Sequence, residues 1–194
     1  MPDTGAPHFI PFADPTDLVR DWPALSEDVA EAVADGLDEA GNAGIGSNVV
    51  HSTMTNTFTT SSTSFVDVTN LAVTITPSSA TSKVLVLVYT SLSRFNFRTV
   101  LTLTDGSDNI LVNPDSPGSR LTGFLAYAGS GSDLNTTGFH IVHSPNTTSP
   151  FTYKVRGRTN DASETLFVNR SSTDTDNDSF SRYISTITAI EVAG

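Results

Sequence analysis

The sequence predicts a mainly β protein: a β-sandwich of jelly-roll type, preceded by an extended arm and one short α-helix. Three observations carry this. Strand-like runs recur from residue 49 onward, divided by turn clusters such as Asp105-Gly-Ser-Asp-Asn109 and Ser144-Pro-Asn-Thr-Thr-Ser-Pro150, a spacing typical of sandwiches and barrels. Serine and threonine make up roughly a quarter of the 194 residues, far above ordinary usage; threonine suits exposed strand faces and serine suits turns. Beyond residue 40 no helix-period pattern interrupts the strands.

Residues 1–22 contain Pro2, Pro7, Pro11 and Pro15, with Phe9, Ile10 and Phe12 among them and Trp22 at the end. Proline at this density favours an extended path. Apolar side chains on such a path imply an arm laid against another surface, with Phe9, Ile10, Phe12 and Trp22 as its anchors. Residues 23–40 are the one good helix candidate. Pro23 suits a first turn, and Leu25, Val29, Val33 and Leu37 form a narrow apolar stripe opposite an acidic side. Self-bundling, docking on a partner and docking on its own β-domain all fit that stripe. Gly41-Asn-Ala-Gly-Ile-Gly-Ser47 reads as a flexible linker. It divides the chain into an arm (1–22), a helix and linker (23–47) and a β-domain (48–194).

Within the β-domain, strands are expected near 49–58, 63–68, 71–76, 82–92, 95–103, 109–112, 119–128, 136–143, 151–158, 165–170 and 182–192. The run Lys83–Thr90 is apolar on both faces: Val84, Val86 and Val88 point one way, Leu85, Leu87 and Tyr89 the other. A strand with one wet face would alternate instead. One face therefore belongs to the sandwich core, and the other needs a neighbouring subunit, a loop or the N-terminal segment to cover it.

Charge is uneven. Residues 1–47 carry ten acids and a single base, Arg20, against eleven acids and nine bases in residues 48–194. A nucleic-acid-binding surface would be basic, so that function class is not expected. The acidic segment suits a basic protein surface, or serves solubility. There is no cysteine, and no apolar run is long enough to span a bilayer. The first residues lack the basic and apolar blocks of a secretory signal, which argues against a secreted carbohydrate-binding module.

Catalytic and metal motifs are not found: there is no nucleophile elbow, metal-binding pair or phosphate loop, so no enzymatic activity and no cofactor is expected. His140 and His143, three apart on a strand, fall on opposite faces. Asp174-Thr-Asp-Asn-Asp178 opens like a calcium loop but lacks the glycine and the closing glutamate; a solvated loop is the default. Asn135, Asn146, Asn169 and Asn177 begin formal glycosylation sequons. Loops 105–118, 129–135 and 144–150 are the recognition candidates, since a rigid sandwich presents loops at its ends. Ser130, Ser132, Asp133, Asn135, Asn146, Thr147 and Thr148 carry the hydrogen-bonding groups there.

The segment Phe65-Val-Asp-Val-Thr-Asn-Leu-Ala-Val-Thr-Ile-Thr-Pro-Ser-Ser-Ala-Thr-Ser-Lys-Val-Leu-Val86 resembles the distal domain of many bacteriophage tail and fibre proteins. So do Ser144–Arg156 and the ending Ile187-Thr-Ala-Ile-Glu-Val-Ala-Gly194. Pro11-Phe-Ala-Asp-Pro-Thr-Asp-Leu-Val-Arg-Asp21 is similar to the virion-proximal part of such proteins. The resemblance implies a homotrimer on the virion, attached to another virion protein through residues 1–40 and presenting its β-domain to host-surface glycan. A head-fibre or decoration protein without a receptor is the alternative. Members of the family are often far longer, with a shaft that this chain lacks.

Overall fold

The computed structural model describes residues 28–33, 48–95, 98–112, 114–115, 118–127 and 134–192. The chain divides into two compact units, one up to Ile45 and one from Gly46 to Val192. In the first, residues 28–33 form a helix, α1, with Val29 half-buried and Val33 exposed. Phe9, Ile10, Phe12, Trp22, Leu25 and Leu37 lie outside the described residues.

Among the described residues the second unit is a β-sandwich of ten strands: β1 (Val49–Met54), β2 (Phe58–Thr60), β3 (Val66–Ile75), β4 (Lys83–Phe95), β5 (Thr99–Asp105), β6 (Leu125–Tyr127), β7 (Asn135–His143), β8 (Phe151–Thr159), β9 (Thr165–Val168) and β10 (Ser185–Val192). Sheet A runs β1-β10-β4-β9-β2 with β7 also on β4; sheet B runs β3-β8-β5-β6. Every pairing is antiparallel. Residues 109–112, expected as a strand, contribute a single bridge, Thr104 to Ile110.

Strand β4 organises sheet A. On one edge it pairs β7 over residues 84–92. On the other it pairs β10 over 83–89 and then β9 over 92–95, so β10 and β9 lie end to end. Strands β1 and β2 continue that arrangement, pairing β10 and β9 respectively. Asn169 closes the break. Its side chain is fully buried, donates to the Met54 and Asn56 carbonyls at 2.8 and 3.0 Å, and accepts the Ser185 hydroxyl at 2.6 Å. Its φ of 61° is left-handed, a conformation that asparagine tolerates better than most residues. A buried amide whose groups are all paired is stabilising, whereas an unpaired one costs about 1–3 kcal/mol.

The core lies between the sheets. Val84, Val86 and Val88 are at most 1 % exposed and pack with Leu71, Val73, Ile75, Leu101, Leu103, Tyr153, Val155, Leu166 and Ile187; these valines form the core face of β4. In β3 the sequence suggested two strands parted near residue 69. The structure has one strand with a register shift between Asp67 and Ala72. Between those pairs β3 advances five residues and β8 two; Asn70, at φ 67°, lies within this irregular stretch, and Val68 and Leu71 are both buried although they are three apart.

A buried carboxylate fixes the sandwich end where β10 finishes. Glu191 is 1 % exposed. It accepts the Ser78 N–H at 2.7 Å, the Ser78 hydroxyl at 2.6 Å and the Asn48 amide at 3.0 Å. The turn after β3, the start of β1 and the end of β10 are thus tied to one group.

Candidate functional site

The outer face of sheet A follows from the registers. Val49, Ile190, Leu85 and Val142 lie side by side across β1, β10, β4 and β7, in strands about 4.8 Å apart. The next row is His51, Thr188, Leu87 and His140, and the next Thr53, Thr186, Tyr89 and Gly138. Val49, Tyr89 and Val142 are 50, 57 and 62 % exposed. Leu85, Leu87 and Ile190 are half-buried. The Tyr89 ring lies over Gly138, where a Cβ would come within 3.0–3.2 Å of it. His51 places its two ring nitrogens 2.8 Å from the Thr188 and Thr53 hydroxyls. The apolar side chains of this face lie among the polar His51, Thr188, His140, Thr53 and Thr186.

The chain covers the other end of this face itself. Ser91 and Ser93 continue the outer positions of β4, yet both are at most 1 % exposed. The Ser93 hydroxyl donates to the Arg170 carbonyl at 2.9 Å, and Ser91 Oγ is 2.9 Å from Thr136 Oγ1. The β9–β10 connection therefore folds over the serines, while Leu85, Leu87 and Tyr89 lie beyond its cover among the described residues. Its last residues, Tyr183 and Ile184, are 48 and 55 % exposed and add apolar surface at the boundary.

The expected recognition loops fare differently. Ser130, Ser132 and Asp133 lie outside the described residues. Asn135 is the first residue of β7, opposite Leu92, rather than a loop residue; the hydrogen-bonded ladder starts one position earlier than the sequence suggested. Loop 144–150 is braced internally. Asn146, at φ 53°, donates to the Ser144 carbonyl at 3.1 Å, and the Ser149 N–H donates to the Thr147 hydroxyl at 3.0 Å. Thr148 is exposed. In the 105–118 region, Asp105 accepts from Ser107 N–H, Asn109 N–H and Asn109 Nδ2 at 2.8–2.9 Å. The Asn109 side chain leads in holding the Asp105 carboxyl below its ordinary range. Asp108 and Asp67 form a four-member ion cluster with Lys154 and Arg156 at 2.6–3.2 Å on the outer face of sheet B. The Lys154 hydrogen bond leads in lowering Asp108. These groups hold the turn in place and are engaged with one another.

His140 and His143 lie on opposite faces of β7. His143 points inward, with Nδ1 3.0 Å from the Tyr153 hydroxyl and its ring against Phe151. Burial lowers its basicity, opposed by Asp105, and burial raises the Tyr153 phenol above its usual range. Among the described residues no group of three His, Asp or Glu side chains could hold a metal ion. Asp174, the first ligand position of the calcium-like loop, is taken: Arg182 Nε and Nη2 reach its two oxygens at 3.0 and 2.6 Å, and Arg170 stands at 3.6 Å. Of the four sequon asparagines, Asn169 is fully buried, so an oligosaccharide cannot be joined to it in the folded domain.

Among the described residues, fold and surface define an antiparallel β-sandwich with Val49, Tyr89 and Val142 exposed on the outer face of sheet A. No protein-family model matches the chain, and no curated protein matches it. Sequence reasoning identified the two-sided character of β4 but not the row that Val49, Ile190 and Val142 build beside it, because cross-strand register is not legible in one strand.

Proposed function

We propose that this chain is a small homotrimeric virion fibre or tail protein, attached to the particle by its N-terminal segment and presenting the β-sandwich to host-surface glycan without enzymatic chemistry. The observation that carries the reading is the exposed apolar face of sheet A, present although the sandwich has a complete core of its own. That face supports self-association, since a second copy brings an equally apolar surface. The number three and the virion setting rest on the resemblance of residues 65–86 and 144–156 to phage tail and fibre proteins. The proline-rich segment with Phe9, Ile10, Phe12 and Trp22 supplies apolar groups suited to docking on another virion protein.

Imaging of particles carrying a C-terminal label on this chain tests the reading. Label at an outward tip, with adsorption lost when the chain is removed, is the expected result. Label spread over the head, with adsorption unchanged on removal, replaces attachment by head decoration. Particles without label refute both.

A further inference from the structure

We propose that the β9–β10 connection carries a subsite for one neutral sugar ring; its use in host attachment rests on the function proposed above. A cleft of about 330 Å³ opens there, lined by Asp174, Thr175, Asp176, Asn177, Phe180 and Arg182. This is near the lower end of small-ligand pockets, a size for a single ring rather than a chain of them.

The cleft is held open before any ligand arrives. Arg182 clamps Asp174 through two hydrogen bonds. Arg170 donates to the Ser171 and Ser172 carbonyls and stacks its guanidinium 5.0 Å from the Phe167 ring centre. The Asn177 side chain accepts the Ser179 N–H at 2.9 Å, and the Phe180 N–H donates to the Asn177 carbonyl at 3.0 Å. At its base the loop is tied to the sheet through Asn169 and Ser93. A loop ordered in advance leaves less entropy to lose on binding.

The lining decides the ligand class. Asp174 is neutralised by its arginines, and the connection holds Asp174, Asp176 and Asp178 against Arg170 and Arg182. That near-balance offers no strong attraction to phosphate, and with Asp174 engaged the lining keeps one other carboxylate, Asp176, for a cation. What remains for a ligand is the Asp176 carboxylate, the Thr175 hydroxyl, the Asn177 NH2 and the second guanidinium NH2 of Arg182. These are donors and acceptors in mixed array, beside one half-buried aromatic ring, Phe180. Hydroxyl groups bond to both kinds, and the C–H face of a sugar packs on an aromatic ring.

Saturation-transfer NMR on the full chain tests this, using methyl glycosides of glucose, galactose, mannose and N-acetylglucosamine as probes, with inorganic phosphate and calcium chloride as competitors. At least one glycoside should receive saturation, undisturbed by either competitor. Phe180→Ala and Asp176→Ala should each weaken binding at least roughly tenfold, a change of about 1.4 kcal/mol, while the thermal transition stays in place. Phe180→Leu keeps the bulk and removes the ring, and should weaken binding as Phe180→Ala does. No transfer to any glycoside, displacement by phosphate or calcium, or binding that survives loss of the ring overturns the subsite. Adsorption separates the two proposals. Particles whose variant chain has lost glycoside binding yet adsorb normally leave the subsite standing and remove its role in attachment. A chain needed for adsorption that binds none of the glycosides refutes the subsite alone.

Discussion

Replacing Glu191 by glutamine should destabilise the sandwich by about 3 kcal/mol at neutral pH, and the loss should vanish in acid. Burial alone pushes this carboxyl up. The Ser78 hydroxyl, the nearby Ser82 hydroxyl, the Ser78 N–H and the Asn48 amide outweigh it and hold the pKa at about 2, against 4.5 for an ordinary glutamate. Ser82 itself falls short of full hydrogen-bond geometry. Each pKa unit corresponds to about 1.36 kcal/mol, which gives the stated figure. Between pH 2 and 4.5 the unfolded chain binds the proton that the folded chain refuses, so stability rises with pH there. The contribution is whole above about pH 4.5 and lost as pH falls through about 2. Urea unfolding of both proteins at several pH values measures it. The difference between them, not either curve alone, isolates Glu191, because Asp105, Asp108, Asp161 and Asp174 are also lowered. A gap that stays constant from pH 7 to pH 2.5, or no gap at pH 7, refutes the reasoning.

Two further substitutions probe the frame. Asn169→Ala leaves the Met54 and Asn56 carbonyls and the Ser185 hydroxyl without their partner and strains a left-handed backbone; chemical denaturation should show a loss of about 2–4 kcal/mol, with Asn169→Gly relieving the strain but not the missing bonds. Gly157→Ala puts a Cβ 2.6 Å from Leu166 Cδ2 and 3.0 Å from Leu101 Cδ2, between the sheets; overpacking of this kind costs about 1–3 kcal/mol and should lower the melting temperature without changing the strand signal in circular dichroism.

Much of this fold can be read from the chain because its strands announce themselves locally. The runs at 82–92, 136–143, 151–158 and 182–192 are rich in β-branched and other apolar residues and bounded by turn residues, and the observed strands overlap each of them. What failed to show locally is what depends on distant partners. Asn70 looks like a strand end, yet it lies within β3 because β8 continues past it. Nothing in Thr165–Val168 and Ser185–Val192 says that the two lie end to end along β4. Asp174 reads as a free acid until Arg182, eight residues on, is brought back against it. The cleft is invisible for the same reason, although two arginines bracketing a run of acids are a sequence signal for a loop that closes on itself.

The molecular mass of the full chain in solution, measured by light scattering at micromolar concentration, tests the central claim most directly when done on the native protein and two neighbouring variants. The native chain should have the mass of three copies. Leu87→Asp, on the outer face, should have the mass of one copy with its thermal transition retained. Val86→Asp, one residue away but 0 % exposed inside the sandwich, should not fold, since an unpaired, fully buried charge is far costlier than one at the half-buried position 87, which water still reaches. A native chain that is monomeric, or a folded Leu87→Asp variant that remains a trimer, would contradict assembly through the outer face of sheet A.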